Sequence, residues 1–149
     1  MNPASRWILL AEDDPNDAEL TLRALSESKA GEIVLARDGA EALACLRENL
    51  GQYSAWHTQP CVVLLDLKMP KIDGLEVLRQ IKTDPRLRSI PVVMLTSSRQ
   101  EQDVVQSYEL GANAYVVKPV SFSEFRQALH EVGSFWAALN ELPPQALVV

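Results

Sequence analysis

The sequence predicts an α/β fold in which helices cover both faces of a parallel β-sheet. Short apolar runs alternate along the chain with segments of helical period. The runs are continuous and rich in Val, Leu and Ile, which is typical of parallel strands buried on both faces. The chain contains no internal repeat and no low-complexity tract. These observations predict five strand–helix units in a doubly wound sheet.

Each predicted element has its own signal in the sequence. The strand candidates are the apolar runs Trp7 to Ala11, Ile33 to Ala36, Cys61 to Leu65, Val92 to Leu95 and Ala114 to Val117. The helix candidates, which follow them in turn, are about Pro15 to Ser28, Gly39 to Leu50, Leu75 to Thr83, Glu101 to Leu110 and Ser121 to Leu139. Pro15 suits the first position of a helix. Leu43, Leu46 and Leu50 repeat at the spacing of a buried helical stripe.

Composition limits the classes of protein to consider. A chain of 149 residues that is 47% hydrophobic can bury one core, so we expect a single domain over residues 1–149. A net charge of -6 and a pI near 4.9 argue against a broad surface for nucleic acid or anionic membrane. The sequence has neither a signal-peptide pattern nor a membrane-length apolar run, which predicts a cytoplasmic protein. Cys45 and Cys61 are expected to be packed thiols.

Acidic residues are crowded where the first strand ends. Glu12, Asp13, Asp14 and Asp17 lie within six positions of one another. Two carboxylates about 4 Å apart repel by about 4 kcal/mol at the effective dielectric of a protein surface, and a hard divalent cation would offset this cost. Alternatively, Asp13 or Asp14 caps a helix that begins at Pro15. We interpret Asp14 as the cap and Asp17 as a solvated side chain.

Polar residues also follow three later strands. Asp66 ends the third strand, Thr96 the fourth and Lys118 the fifth. Taken singly, these residues suit a loop cap, a helix cap and a surface lysine. In a doubly wound sheet, however, the carboxyl ends of the strands share one edge, where ligands bind. Together with Glu12 and Asp13, they predict one site at that edge.

These residues resemble the receiver domain of two-component response regulators over about residues 7–132. The resemblance is carried by Glu12-Asp13, the stretch "LLDLKMPKIDG" around Asp66, Thr96-Ser97, Tyr115 and Lys118-Pro119. It implies a flavodoxin-like fold with strand order 2-1-3-4-5. It also implies a turn shaped by Pro70 and Gly74, with Asp73 as the cap of the third helix.

The resemblance implies a role for each site residue. Asp66 would be the phosphoacceptor, and Thr96 and Lys118 would contact the phosphoryl group. Mg²⁺, or Mn²⁺ or Ca²⁺ in its place, would be held by Glu12, Asp13, Asp66 and the backbone carbonyl of Lys68. Thr96 and Tyr115 would form a conformational switch. A cis Lys118–Pro119 bond would turn the lysine inward.

The function implied is acceptance of a phosphoryl group from a sensor histidine kinase, with signalling by conformational change and protein contact. Such a protein catalyses its own phosphoryl transfer and slow dephosphorylation but turns over no other substrate. Only 31 residues follow Lys118, so we expect a stand-alone receiver without an output domain. The alternative is a receiver-like module that signals without phosphorylation. A haloacid-dehalogenase-like phosphatase would need a second Asp where Lys68 stands.

The end of the chain carries a heptad-like apolar stripe. Its members are Phe122, Phe125, Leu129, Val132, Trp136 and Leu139. We expect the first four to enter the core. We expect Trp136, Leu139 and neighbouring Phe135 to find no core of their own and to form a homodimer, unless the tail folds back over its own domain.

Two further stretches bear on partners. The tail with "LNELPP" resembles small response regulators that partner phytochrome-type sensor kinases. The segment "NLGQYSAWHTQP", before the third strand, is long for a connection. Its Trp56 and His57 would serve either as an anchor for a partner or as a hydrophobic latch.

Overall fold

A computed structural model describes residues 6–28, 31–50 and 59–142, with the side chains of residues 49 and 50 left out. Trp56, His57, the side chain of Leu50 and the tail from residue 143 onward therefore lie outside the described residues. The strands are β1 Trp7–Ala11, β2 Glu32–Ala36, β3 Val62–Leu65, β4 Val92–Thr96 and β5 Ala114–Val117. The helices are α1 Pro15–Ser26, α2 Gly39–Leu50, α3 Gly74–Thr83, α4 Glu101–Glu109 and α5 Phe122–Ser134, followed by a π-helical turn at Phe135–Leu139.

The five strands form one parallel sheet in the order β2-β1-β3-β4-β5. This confirms the predicted doubly wound topology and strand order. The order reverses between β1 and β3, so the carboxyl ends of these two strands flank the crevice where ligands bind in such sheets. The acids that follow β1 and β3 therefore lie at the same point of the fold.

Alternation along each strand divides the core into two layers. Leu9 of β1 and Met94 of β4 point to one face, where α2 and α3 cover them with apolar side chains that include Leu46 and Ile81. The opposite face is lined by the alternate residues of the same strands and is covered by α1 and α5. Both faces are thus apolar, which explains why the strands are continuous apolar runs.

Helix α5 packs closely against α1. Gly133 faces Ser28, and a Cβ placed on this glycine would lie 2.3 Å from Ser28 Oγ. A larger residue at position 133 would therefore require the Ser28 side chain to move. The Ser28 hydroxyl is itself held by the carbonyl of Leu25, at 2.6 Å.

The C-terminal segment departs from the predicted continuous helix. The α-helix ends at Ser134, and the chain continues as a π-helical turn. The Arg6 guanidinium donates to the carbonyl oxygens of Ala137 and Asn140, both at 2.9 Å. These bonds tie the segment to the beginning of β1.

The apolar stripe of α5 does not pack as predicted at two positions. Phe122, expected in the core, is 56% exposed because it lies in the first turn of α5, at the rim of the domain. Trp136, expected to lack a core, packs against the cluster between the sheet and α1 and α5. Phe135 and Leu139 remain exposed, as predicted. The tail therefore folds back in part.

Both cysteines are free thiols, with Cys61 buried and Cys45 half-buried, as predicted. Within the part of the chain that the structure describes, no helix combines the length and apolarity needed to cross a membrane.

Candidate functional site

Glu12, Asp66 and Lys118 each occupy the position immediately after a strand, where the ladder of the sheet still holds their backbone. The amide of Glu12 donates to the carbonyl of Ala36 at 3.0 Å, and the amide of Asp66 donates to Ala11 at 3.2 Å. The amide of Lys118 donates to the carbonyl of Thr96 at 2.8 Å. The sheet therefore fixes the point from which each side chain projects, which is why strand ends predicted the site.

Three carboxylates meet at the carboxyl edge of the sheet. One oxygen each from Glu12, Asp13 and Asp66 lies within 4.8 Å of the others. Glu12 is buried, Asp66 is half-buried and Asp13 is exposed. An all-oxygen set with one solvent-accessible member suits Mg²⁺, Mn²⁺ or Ca²⁺, which prefer hard ligands and retain water. The donor set therefore fits a hard divalent cation.

Lys118 faces these carboxylates from the end of β5. Its ammonium lies 2.5 Å from Glu12 Oε1, 2.9 Å from Asp17 Oδ2 and 3.7 Å from Asp66 Oδ2, and its side chain is 9% exposed. Burial lowers the pKa of Lys118, but its hydrogen bonds to Glu12 and Asp17, together with the charges of Asp66 and Glu12, outweigh burial and the net shift is upward. The lysine is thus a buried cation.

The expectation of a cis Lys118–Pro119 bond is wrong, because the described residues contain no cis peptide bond. A trans bond is the favoured form for most X–Pro pairs. Lys118 nevertheless points inward, since its ion pairs with Glu12 and Asp17 hold the ammonium at the carboxyl edge of the sheet.

Asp14 and Asp17 have different roles. The Asp14 side chain accepts from the amides of Asn16 and Asp17 and caps α1, as predicted. Asp17 is not a purely solvated side chain, because its carboxylate pairs with Lys118. Its place in the first turn of α1, just beyond the end of β1, is a signal in the sequence that could have indicated this.

Glu12 is the most deeply buried acid of the site, at 2% exposed. Burial raises its pKa to about 7, aided by the charge of Asp66 and opposed by the hydrogen bond from Lys118. Glu12 is therefore harder to ionise than an exposed glutamate.

Thr96 and Tyr115 are joined through one residue of the β4–α4 loop. The buried Thr96 hydroxyl accepts from the amide of Ser98 at 3.3 Å, and the Tyr115 hydroxyl donates to the carbonyl of Ser98 at 3.0 Å. The Ser98 side chain is held in turn by Asp103 of α4, at 2.5 Å. A shift of Thr96 would thus act directly on the loop that carries the Tyr115 contact.

The loop after Asp66 returns tightly to the sheet. The amide of Gly74 donates to the carbonyl of Leu67 at 2.6 Å, and Asp73 caps α3 through the amide of Glu76. A Cβ on Gly74 would lie 2.0 Å from the carbonyl oxygen of Asp66. The predicted turn and cap are therefore present, and they fix the backbone of Asp66. Lys68 lies exposed in this loop.

A groove of about 290 Å³ opens beside Lys118. Its apolar lining includes Leu20, Pro119 and Phe122, and fully exposed Val120 stands at its edge. Asp17 and Ser97 supply polar lining near the site. The groove therefore joins an apolar surface to Lys118 and Asp17.

Comparison with known proteins places the chain in a family. A family model of the response regulator receiver domain matches residues 8–130. The chain therefore belongs to the response regulator receiver family, whose members are signalling proteins.

Several proteins similar to this chain are response regulators, and some of them are described as phytochrome response regulators. Response regulator Rcp1 of Synechocystis sp. is 41% identical over 137 residues, which cover 91% of this chain and 92% of Rcp1. Its Mn²⁺-bound structure aligns with a TM-score of 0.82 at 38% identity, over 93% and 99% of the two chains. The phosphorylated cyanobacterial phytochrome response regulator RcpA aligns with a TM-score of 0.85 at 41% identity, over 95% and 100%. The bacteriophytochrome response regulator AtBRR is 59% identical over 93% and 100%, with a TM-score of 0.70.

Proposed function

We propose that this protein accepts a phosphoryl group from a sensor histidine kinase on Asp66, in the presence of Mg²⁺, and signals by conformational change and protein contact. One observation carries the proposal: Asp66 belongs to a cluster of three carboxylates and also lies 3.7 Å from the ammonium of Lys118. A nucleophilic carboxylate needs cations around it when the group it attacks is itself negative.

The metal would be held by Glu12, Asp13, Asp66 and the backbone carbonyl of Lys68. Mn²⁺ binding by the relative Rcp1 supports a divalent cation here. When bound, Mg²⁺ would supply positive charge beside the phosphoryl oxygens.

Lys118 and Thr96 would stabilise the transferred group from the protein side. The Lys118 ammonium supplies a charge-assisted hydrogen bond, and the Thr96 hydroxyl supplies a neutral one. Both side chains are buried at strand ends, where the sheet ladder fixes the backbone of Lys118.

The switch would run from Thr96 to Tyr115. When its hydroxyl turns toward the phosphoryl group, Thr96 gives up its bond with the amide of Ser98. The β4–α4 loop is then free to move, and with it the bond from Tyr115. The surface formed by α4, β5 and α5 would change as a result.

A phytochrome-type sensor kinase is the proposed partner. Two similar proteins, RcpA and AtBRR, are themselves described as phytochrome and bacteriophytochrome response regulators. The apolar groove gives a protein donor a surface that reaches Lys118 and Asp17. We propose no nucleic-acid partner, consistent with the net charge of -6.

We propose in addition that the receiver core spans about residues 7–132 and that the extension beyond it forms a homodimer. Phe135 and Leu139 support this, because both are exposed on the extension while Trp136 covers the core. Exposed apolar side chains grouped on one segment are typical of an interface. A two-fold pairing is the commonest arrangement.

The phosphoacceptor is tested by incubating the protein with acetyl phosphate and MgCl₂ and measuring its intact mass. We expect the gain of one phosphoryl group, its loss in Asp66→Asn and its absence in EDTA. Asp14→Ser is the matched control, because serine preserves the helix cap while removing a nearby carboxylate. If no divalent metal allows uptake by the parent, the protein is instead a module that signals without phosphorylation.

A further inference from the structure

Asp17 binds the functional lysine although it lies outside the cluster of three carboxylates. Its Oδ2 is 2.9 Å from the Lys118 ammonium, whereas Asp66 Oδ2 is 3.7 Å away. The 3.7 Å separation is too long for a hydrogen bond. The lysine is therefore bonded to Glu12 and Asp17 rather than to the proposed phosphoacceptor.

The position of Asp17 is set by the start of α1. Its amide donates to the capping side chain of Asp14 at 3.1 Å, which anchors its backbone in the first turn of the helix. Its side chain is 40% exposed at the mouth of the groove, while Lys118 is almost fully buried. Asp17 thus reaches the lysine from the solvent side.

A carboxylate in this place competes with any anion bound at Asp66. The ammonium has three donors, but the ion pairs with Glu12 and Asp17 draw it away from Asp66. Glu12 binds Lys118 and also belongs to the proposed metal-binding set, whereas Asp17 lies outside that set. A phosphoryl group on Asp66 must therefore break the interaction of Asp17 with Lys118 before it can bind the lysine, and this weakens its binding.

We propose that Asp17 is a positioning residue that holds Lys118 back from Asp66 until a phosphoryl group displaces it. This inference rests on the proposed function. It assigns Asp17 the role of limiting how strongly the site binds a phosphoryl group. The effect is modest because the carboxylate is partly exposed and screened by solvent.

The test is the dissociation constant of beryllium fluoride, a non-covalent analogue of the phosphoryl group, at saturating MgCl₂. Asp17→Ala removes the competing carboxylate, and we expect about two- to fivefold tighter binding than in the parent. Asp17→Asn retains an amide oxygen without charge and is expected to lie between the two. Asp17→Glu keeps the charge and the reach, so it should restore parental affinity.

Asp14→Ser is the control for the removal of any nearby negative charge, because Asp14 contacts the helix amides rather than Lys118. Chemical unfolding checks that each variant is folded. Equal or weaker binding in Asp17→Ala overturns the inference, as does equal tightening in Asp17→Glu or Asp14→Ser. If the parent itself binds no beryllium fluoride, the proposed phosphoacceptor function fails as well.

Discussion

At the scale of single residues, burial and ion pairing shift the pKa of Glu12 in opposite directions. Burial raises its pKa to about 7, although Lys118 donates a hydrogen bond to it. The ordinary pKa of a glutamate is 4.5. Between pH 4.5 and about pH 7, Glu12 therefore keeps its proton in the folded protein but has lost it in the unfolded chain. Stability from this group is complete below about pH 4.5 and is lost as the pH rises through 7.

We therefore expect the free energy of unfolding of the metal-free protein to fall between pH 5 and 7, relative to that of Glu12→Gln. The buried carboxylate accounts for a difference of at most about 3 kcal/mol over this range. Denaturation with urea at several pH values in EDTA measures both profiles. Parallel profiles for the parent and the variant would contradict the assignment to Glu12.

The sequence predicted site residues well where a strand end determines their position. Asp66 and Lys118 follow apolar runs, so the parallel topology brings them to one edge. Asp17 was misjudged because it was assigned to the solvated face of α1, although its place in the first turn, just beyond β1, lay near the predicted site. Phe122 was misjudged because helical spacing gives the face of a residue but not its depth at a helix end.

At the scale of elements, the β4–α4 loop connects the site to the surface of α4. Ser98 contacts Thr96 through its amide, Tyr115 through its carbonyl and Asp103 through its hydroxyl. One residue thus joins a strand end, the neighbouring strand and a helix.

We expect Thr96→Ala to accept a phosphoryl group but to lose most of the conformational response, because the hydroxyl that would move has been removed. The response is read from amide NMR shifts in α4 and β5 upon phosphorylation. Thr96→Ser, which keeps the hydroxyl, is the matched control. A phosphorylated Thr96→Ala spectrum equal to that of the phosphorylated parent would refute the proposed coupling.

The conformation at the end of α5 is determined by tertiary contacts rather than by local sequence. The apolar spacing predicted one continuous helix to Leu139, but the chain turns after Ser134 into a wider helical turn. Arg6 binds the carbonyls of that turn from the other end of the sequence, a contact that no local pattern reveals.

We expect Arg6→Gln to loosen this segment while the sheet stays folded. Losing two partly buried hydrogen bonds from a charged donor costs roughly 2 kcal/mol. Hydrogen exchange of the peptide covering residues 135–142 should then speed up about 30-fold, with no change in β3. Arg23→Gln, which breaks an exposed pair with Glu19, serves as the control. Unchanged exchange in Arg6→Gln would show that apolar packing alone holds the segment.

At the scale of the whole molecule, exposed apolar side chains lie on separate elements. Val105 and Tyr108 are exposed on α4, and Phe135 and Leu139 on the C-terminal extension. This separation allows the proposed dimer surface to be tested without disturbing the core, because Trp136 rather than Phe135 or Leu139 covers it.

We expect the double variant Phe135→Ser, Leu139→Ser to shift the protein from dimer to monomer in sedimentation at micromolar concentration, with little loss of stability. A matched pair of changes on α4, Val105→Ser and Tyr108→Ser, should leave the dimer intact. Both variants are measured with and without acetyl phosphate. A parent that is monomeric in both conditions would contradict the dimer hypothesis. Dissociation caused only by the changes on α4 would show that the interface lies on α4 instead.

The bond from Arg6 to the carbonyls of Ala137 and Asn140 has a practical consequence for engineering. It brings the two ends of the described chain together at the amino edge of the sheet, opposite Asp66. A reporter fused after residue 142 would start from that edge, well clear of the groove beside Lys118. Joining residues 6 and 142 through a short linker should likewise give a circular permutant whose new termini can be placed elsewhere. Biosensors built on this protein can therefore be joined at residues 6 and 142, on the edge opposite the site.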